Sequence, residues 1–348
     1  MRVALTPIAE ACLQAFVKNQ AELNDVSYEF IAGGNSYSVT PKVEYRWLNG
    51  VQDASPFLKM ITIDVCDEMV VEDLGYEESG IISGRTDTDD DEKGGDRKPR
   101  ALGTVSAVQY ICQVVDHDTY IRYSDLNRWS ENDRAKFLEF INKRRQTSKA
   151  NDLLMIGWHG VRADKNTNPK ENPLGQDVAK GWIQHVKENK PENYLEDAIT
   201  IGKGGTYESL DELVIALKAQ IPMHKRRDLV CLASPELVDV RKMALASTSS
   251  VEDVANQQVR IAQNILADGT EVISPEFFPE NTVIVTRLKN LHHLTKKGST
   301  RIDPETNSKR SRYEIYHQSL ETYAIGDYEQ IIVATGVDNG VDNVGEGE

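Results

Sequence analysis

Cysteine, basic charge and long apolar runs are all scarce in this chain, and each shortage removes a class of function. The four cysteines, Cys12, Cys66, Cys112 and Cys231, lie far apart and form no CxxC pair, so neither a zinc site nor a dithiol redox motif is indicated. They read as reduced, mostly buried thiols of a reducing compartment. No apolar run approaches the ~18 residues that a bilayer span needs, so no membrane partner is expected. Residues 4–9 followed by Ala11-Cys12 have a faint look of an export or lipidation signal. Glu10 sits where such a signal must be apolar and only Arg2 supplies positive charge, so no export is expected. Lys and Arg total 40 against 55 Asp and Glu, a net charge of −15. That balance argues against gripping nucleic acid by phosphate neutralisation, which needs a basic face.

Catalytic patterns are missing as well. There is no GxSxG elbow, no HExxH and no cysteine with a nearby histidine. His292 and His293 are neighbours in an expected strand, so their side chains point to opposite faces and cannot share a metal. Gly202-Lys203-Gly204-Gly205 has the glycine and lysine of a phosphate cradle, but Gly204 stands where Ser or Thr must hold magnesium. A tight turn before a helix is the better reading. Asp87, Asp89 and Asp91 match the first spacings of an EF-hand, yet Glu92 replaces its glycine and Lys98 its bidentate glutamate. No catalytic residue, metal ligand or cofactor is assigned, and an enzyme is not expected.

At 348 residues the chain can form two or three packed units. Apolar positions between Ala4 and Phe16 recur three and four apart, predicting a helix within residues 1–24. From Tyr28 to Trp47 the pattern dissolves around Gly33-Gly34 and Thr40-Pro41 into an arm or linker. Residues 61–82 and 101–115 read as the strands of a long hairpin around a tip, Ser83 to Arg100. Twelve carboxylates fall between Asp67 and Asp96 against only Arg85 and Lys93, so the tip must be solvated or paired with a basic partner.

Ser130 followed by Asp133 predicts the start of one long helix running to Gly157, roughly 40 Å in length. Phe137, Leu138, Ile141, Leu153, Leu154 and Ile156 would face a sheet, while Lys143, Arg144, Arg145 and Lys149 stay in water. Residues 160–173 form a polar loop, and Trp182 on the next helical stretch is a core candidate. Ser209 with Glu212 starts a helix, 228–234 is a buried strand, and Ser234-Pro235-Glu236 starts the next helix. Strands are expected at 271–274, 282–287, 291–295, 313–319 and 329–335, rebuilding a single sheet. The ending at 337–348 is acidic and glycine-rich.

The most distinctive block is DLLMIGWHGVRADKNTNPKENPLGQDVAKGWIQHVK, residues 152–187, preceded by Tyr120-Ile121-Arg122-Tyr123 and Trp129 and followed by the run from Ile201 to Asp211. With Phe277-Phe278-Pro279, residues 282–291 and Glu321-Thr322-Tyr323, it resembles the major capsid proteins of P-two-like tailed bacteriophages. That resemblance implies an α+β Hong-Kong-97-type capsid fold. Its parts would be an N-terminal arm at 1–60, an extended hairpin loop at 61–118 and a peripheral domain with a spine helix at 119–195. An axial domain would follow at 196–275, then a return to the peripheral domain at 276–336 and a flexible tail at 337–348.

The implied function is a shell of hexamers and pentamers around double-stranded DNA in the virion, built in the host cytoplasm. Partners would be copies of the chain, an internal scaffolding protein with a protease, and a portal protein. The hairpin tip, Arg85, Asp87, Asp89, Asp90, Asp91, Glu92, Lys93, Asp96, Arg97 and Lys98, would contact the next subunit. A processing junction is expected near Phe30 and Ile31. Assembly is expected to be noncovalent. A same-fold shell of a satellite element or a cellular compartment is the alternative.

Overall fold

The computed structural model describes residues 4–78, 83–86, 97, 99, 103–132, 136–202, 204–246 and 264–339. Thr6 caps α1 (Pro7–Leu23), whose Pro7 sits in the first turn where its missing N–H costs nothing. Residues 28–47, expected as an arm, instead hold α2 (Tyr28–Ala32), β1 (Tyr37–Ser38) and the start of α3 (Pro41–Ala54). The Thr40-Pro41 step is extended only at Thr40, and Pro41 opens the helix. The same local restriction that ends one element therefore begins another.

Next come β2 (Thr62–Cys66), β3 (Val70–Glu78), β4 (Gly103–Ile111), β5 (Gln113–Asp116) and β6 (Thr119–Arg122). The expected single long helix is two, α4 (Tyr123–Asn132) and α5 (Phe137–His159). Ser130 is not a cap: it lies inside α4, its hydroxyl donating 2.9 Å to the carbonyl of Asn127. Helix α5 is about 34 Å long by its residue count.

The remaining elements are α6 (Trp182–Asn189), β7 (Tyr194–Leu195), β8 (Ile199–Ile201), α7 (Leu210–Gln220), β9 (Val230–Ala233), α8 (Pro235–Ala246), β10 (Val272–Ile273), β11 (Thr282–Thr286), β12 (Leu291–Lys296), β13 (Arg301–Asn307), β14 (Arg312–Ile325), β15 (Ile331–Thr335) and β16 (Val337–Asn339). Ser209 caps α7 as expected, its hydroxyl accepting from the Glu212 N–H at 3.2 Å, while the Glu212 carboxylate accepts from the Glu208 N–H at 2.8 Å.

The late strands divide between two sheets rather than rebuilding one. The first runs β1-β13-β14-β12-β2, with β5 and β6 also paired to the fourteen-residue β14. The second runs β10-β9-β11-β15-β7. Its central strands are buried on both faces, which explains why their sequences read as continuous apolar runs. Val230, Leu232, Ile284, Ile331 and Val333 face a core shared with α5 and α6. Alternate residues, Cys231, Val283, Val285 and Ile332, face α7 and α8. A third cluster joins α1, α4 and the start of α5 to Tyr313 and Ile315 of β14.

The 152–187 block is where α5 and α6 meet. A Cβ on Gly157 would lie 2.4 Å from the Trp182 ring, and one on Gly181 would lie 2.4 Å from the Gly157 carbonyl oxygen. Only glycine permits that approach. It lets Trp158 and Trp182 pack edge to face at 4.8 Å, flanked by Phe278 and Tyr323. Trp182 is core, as expected, and its indole N–H donates to the His292 carbonyl at 2.8 Å.

Candidate interaction surfaces

β3 and β4 form the expected hairpin through nine registered pairs, from Val70 with Ile111 to Glu78 with Gly103, and pair with no third strand among the described residues. An isolated two-stranded hairpin is marginal in water. Its root, however, is tied to the first sheet. The Cys112 N–H donates to the Met69 carbonyl at 2.8 Å, and β2 lies parallel to β12.

Tyr110, with no exposed surface, is the bolt. Its hydroxyl donates to the Ile325 carbonyl at 2.9 Å and accepts from the Ile325 N–H at 3.1 Å, while its ring meets His185 edge-on at 5.0 Å. Beside this anchor the apolar residues Met69, Val70, Ile111 and Val114 are exposed.

Of the expected tip residues, Arg85 and Arg97 are exposed. Asp87, Asp89, Asp90, Asp91, Glu92, Lys93, Asp96 and Lys98 lie outside the described residues. Phe30 and Ile31 both fall in α2, Phe30 exposed and Ile31 buried. The glycine turn before α7 is closed by Gly202 N–H to the Tyr207 carbonyl at 2.9 Å, with Gly204 at φ +87. Lys203 lies outside the described residues. No cluster able to hold a metal occurs among the described residues, and no helix there is long and apolar enough to cross a membrane.

A buried polar row between α5 and β14 was missed from the sequence. Arg145 and Lys149, expected in water, are buried. Lys149 donates to both carboxylate oxygens of Glu321, at 2.7 and 2.9 Å, and Glu321 also accepts from Ser319 at 2.5 Å. Burial alone would raise the Glu321 carboxyl, but Lys149 and His293 outweigh it and hold the group well below the usual range.

Burial, with Arg145 and Lys149, likewise holds the His317 imidazole neutral, well below its usual value. Arg145 stacks on Trp47 at 5.0 Å, and burial pulls its guanidinium down to about 10, still charged at neutral pH. The signal was present: residues 137, 141, 145, 149 and 153 are spaced by four, so both basic residues share the apolar stripe. The row welds helix to sheet.

What stands out is a protein with a hairpin rooted in the first sheet, a long helix locked to a long strand and, among the described residues, no metal-holding cluster. The same architecture occurs in capsid shells. A chain of the satellite phage P4 procapsid, in a structure that includes a size determination (Sid) protein, matches with TM-score 0.75 and 26% identity, covering 90% of this chain and 96% of that one. The capsid of an empty GTA particle shares the fold at 9% identity and TM-score 0.54, over 82% and 90% of the two chains.

The class is therefore a phage capsid protein with a mixed helix and strand fold of the Hong-Kong-97 type. More narrowly, the chain belongs to the P2 family of phage major capsid proteins, whose model matches residues 12–337. It is 28% identical to the capsid proteins of Escherichia phage P2 over 331 residues, covering 90% of each. It is 23% identical to the major capsid protein of Serratia phage KSP20, over 95% of this chain and 97% of the relative. As a major capsid protein it is a component of the virion and associates with copies of itself.

Proposed function

We propose that copies of this chain form hexamers and pentamers that close an icosahedral shell around double-stranded DNA, with a scaffolding protein and a portal as assembly partners in the host cytoplasm. The observation that carries this reading is the hairpin, bolted by Tyr110 yet unpartnered beyond its root, with the exposed patch Met69, Val70, Ile111 and Val114 beside it. A neighbouring subunit would cover that patch.

In this reading the first sheet with α5 serves as the peripheral domain, the second sheet with α7 and α8 as the axial domain, and β3–β4 as the extended loop. The net charge of −15 suits a container, since a lining that bound DNA tightly would oppose filling and release. Removal of the N-terminal segment near Phe30 and Ile31 would require α2 to open first, because Ile31 is buried. A shell of a satellite element is the weaker reading, since both sequence relatives are phage capsid proteins.

Negative-stain microscopy of the purified protein, alone and with its scaffold at low and moderate salt, tests the proposal. Closed particles or capsomer rings are expected. Persistent monomers with the scaffold present would overturn it.

A further inference from the structure

Cys66 and Cys112 are remote in sequence, but the fold sets their sulfurs 3.8 Å apart. Cys66 ends β2, and Cys112 follows β4, so the two thiols stand at the outgoing and returning ends of the hairpin. Both are reduced here, Cys66 half-buried and Cys112 buried. The Glu68 carbonyl lies 3.4 Å from the Cys66 sulfur. The sulfurs are in van der Waals contact, and a disulfide requires them to close to about 2.05 Å.

We infer that Cys66 and Cys112 form an oxidation site, closed into an intramolecular disulfide by small disulfides such as oxidised glutathione, which staples the hairpin at its root. The accessible Cys66 reacts first. Its thiolate attacks one sulfur of oxidised glutathione, forming a mixed disulfide and releasing one glutathione thiolate. Cys112 then gives its proton to solvent and attacks the Cys66 sulfur, expelling the second glutathione. Two protein thiols are oxidised and one small disulfide is reduced to two thiols.

The order follows from the environment, because burial and the adjoining Cys66 push the Cys112 thiol up to about 12. Cys12 and Cys231 are buried in other clusters and have no such neighbour. Resting on the capsid reading, the consequence is a hairpin free to adjust in a reducing cytosol and fixed after release into an oxidising medium.

The test is differential alkylation and peptide mass mapping of the full chain, before and after oxidised glutathione, with dithiothreitol reversal. The expected product is a monomer lighter by two hydrogens, with Cys66 and Cys112 in one linked peptide pair and both protected from alkylation. Cys66→Ser and Cys112→Ser should each abolish it, while Cys12→Ser and Cys231→Ser keep it. Free alkylation of both thiols after oxidation, a mixed disulfide that never resolves, or an intermolecular bond would overturn the inference, and the wild-type map decides even if a variant misfolds. Subunits that form the bond but never build particles would sink the capsid assembly proposal alone, whereas normal particles with both thiols still reactive would sink only this one.

Discussion

Lys149 and Glu321 show how a single pair of side chains joins the two halves of the first layer. Both charges are out of water, so removing Lys149 leaves the Glu321 carboxylate buried with Ser319 and His293 but without its ammonium partner. Lys149→Met should lower stability by about 3–5 kcal/mol in a urea titration, and adding Glu321→Leu should recover most of the loss. A loss under about 1 kcal/mol for the single change would mean the pair is solvated.

The same row sets an acid response. His317 is neutral in the fold, whereas in the unfolded chain it takes a proton below its ordinary 6.5, so stability declines as pH falls from there. His185, driven by burial to about 4, acts in the same direction between 6.5 and 4. Glu321, held below its ordinary 4.5, adds a further loss once pH drops under that value. The melting temperature should therefore fall between pH 7 and 5, and His317→Gln should make that fall shallower. An unchanged slope in the variant would count against this assignment.

At the scale of elements, close approach and anchoring matter more than propensity. Gly157→Ala forces a methyl into the Trp182 ring and should cost about 1–3 kcal/mol, read as a lower melting temperature. Tyr110→Phe removes the hydroxyl that ties β4 to Ile325, a change worth roughly 1 kcal/mol. Its signature should be local: faster amide exchange in β3 and β4 with global unfolding nearly unchanged. Uniform acceleration across both sheets would instead make Tyr110 part of the general core.

Local signals identified several of these elements well. The cap at Ser209, the start of α8 at Pro235 and the paired hairpin strands were legible because each depends on neighbours in sequence. The break between α4 and α5 was not, since Ser130 and Asp133 imitate a cap whose use depends on packing.

For the whole molecule, the proposed shell makes the hairpin the part that a neighbouring copy would cover. Deleting Gly84 to Lys98 should leave a folded subunit, because none of the described strands lies in that segment, but impair shell closure under the microscope. Normal particles from the deletion would remove the tip from the intersubunit contact. Twelve carboxylates near that tip also predict assembly that changes between low and moderate salt, because exposed charge pairs are screened over about 10 Å at 0.1 M ionic strength.

By itself the sequence determined the family resemblance, the α+β class, the hairpin, the burial of Trp182 and the lack of a metal or nucleophile motif. These rest on order, spacing and short-range preference. Only the tertiary structure decided that the late strands split between two sheets, that Lys149 meets Glu321, and that Cys66 meets Cys112. Each of those is a pairing between residues far apart in the chain, and a strand or a basic side chain carries no local mark of which distant partner will satisfy it.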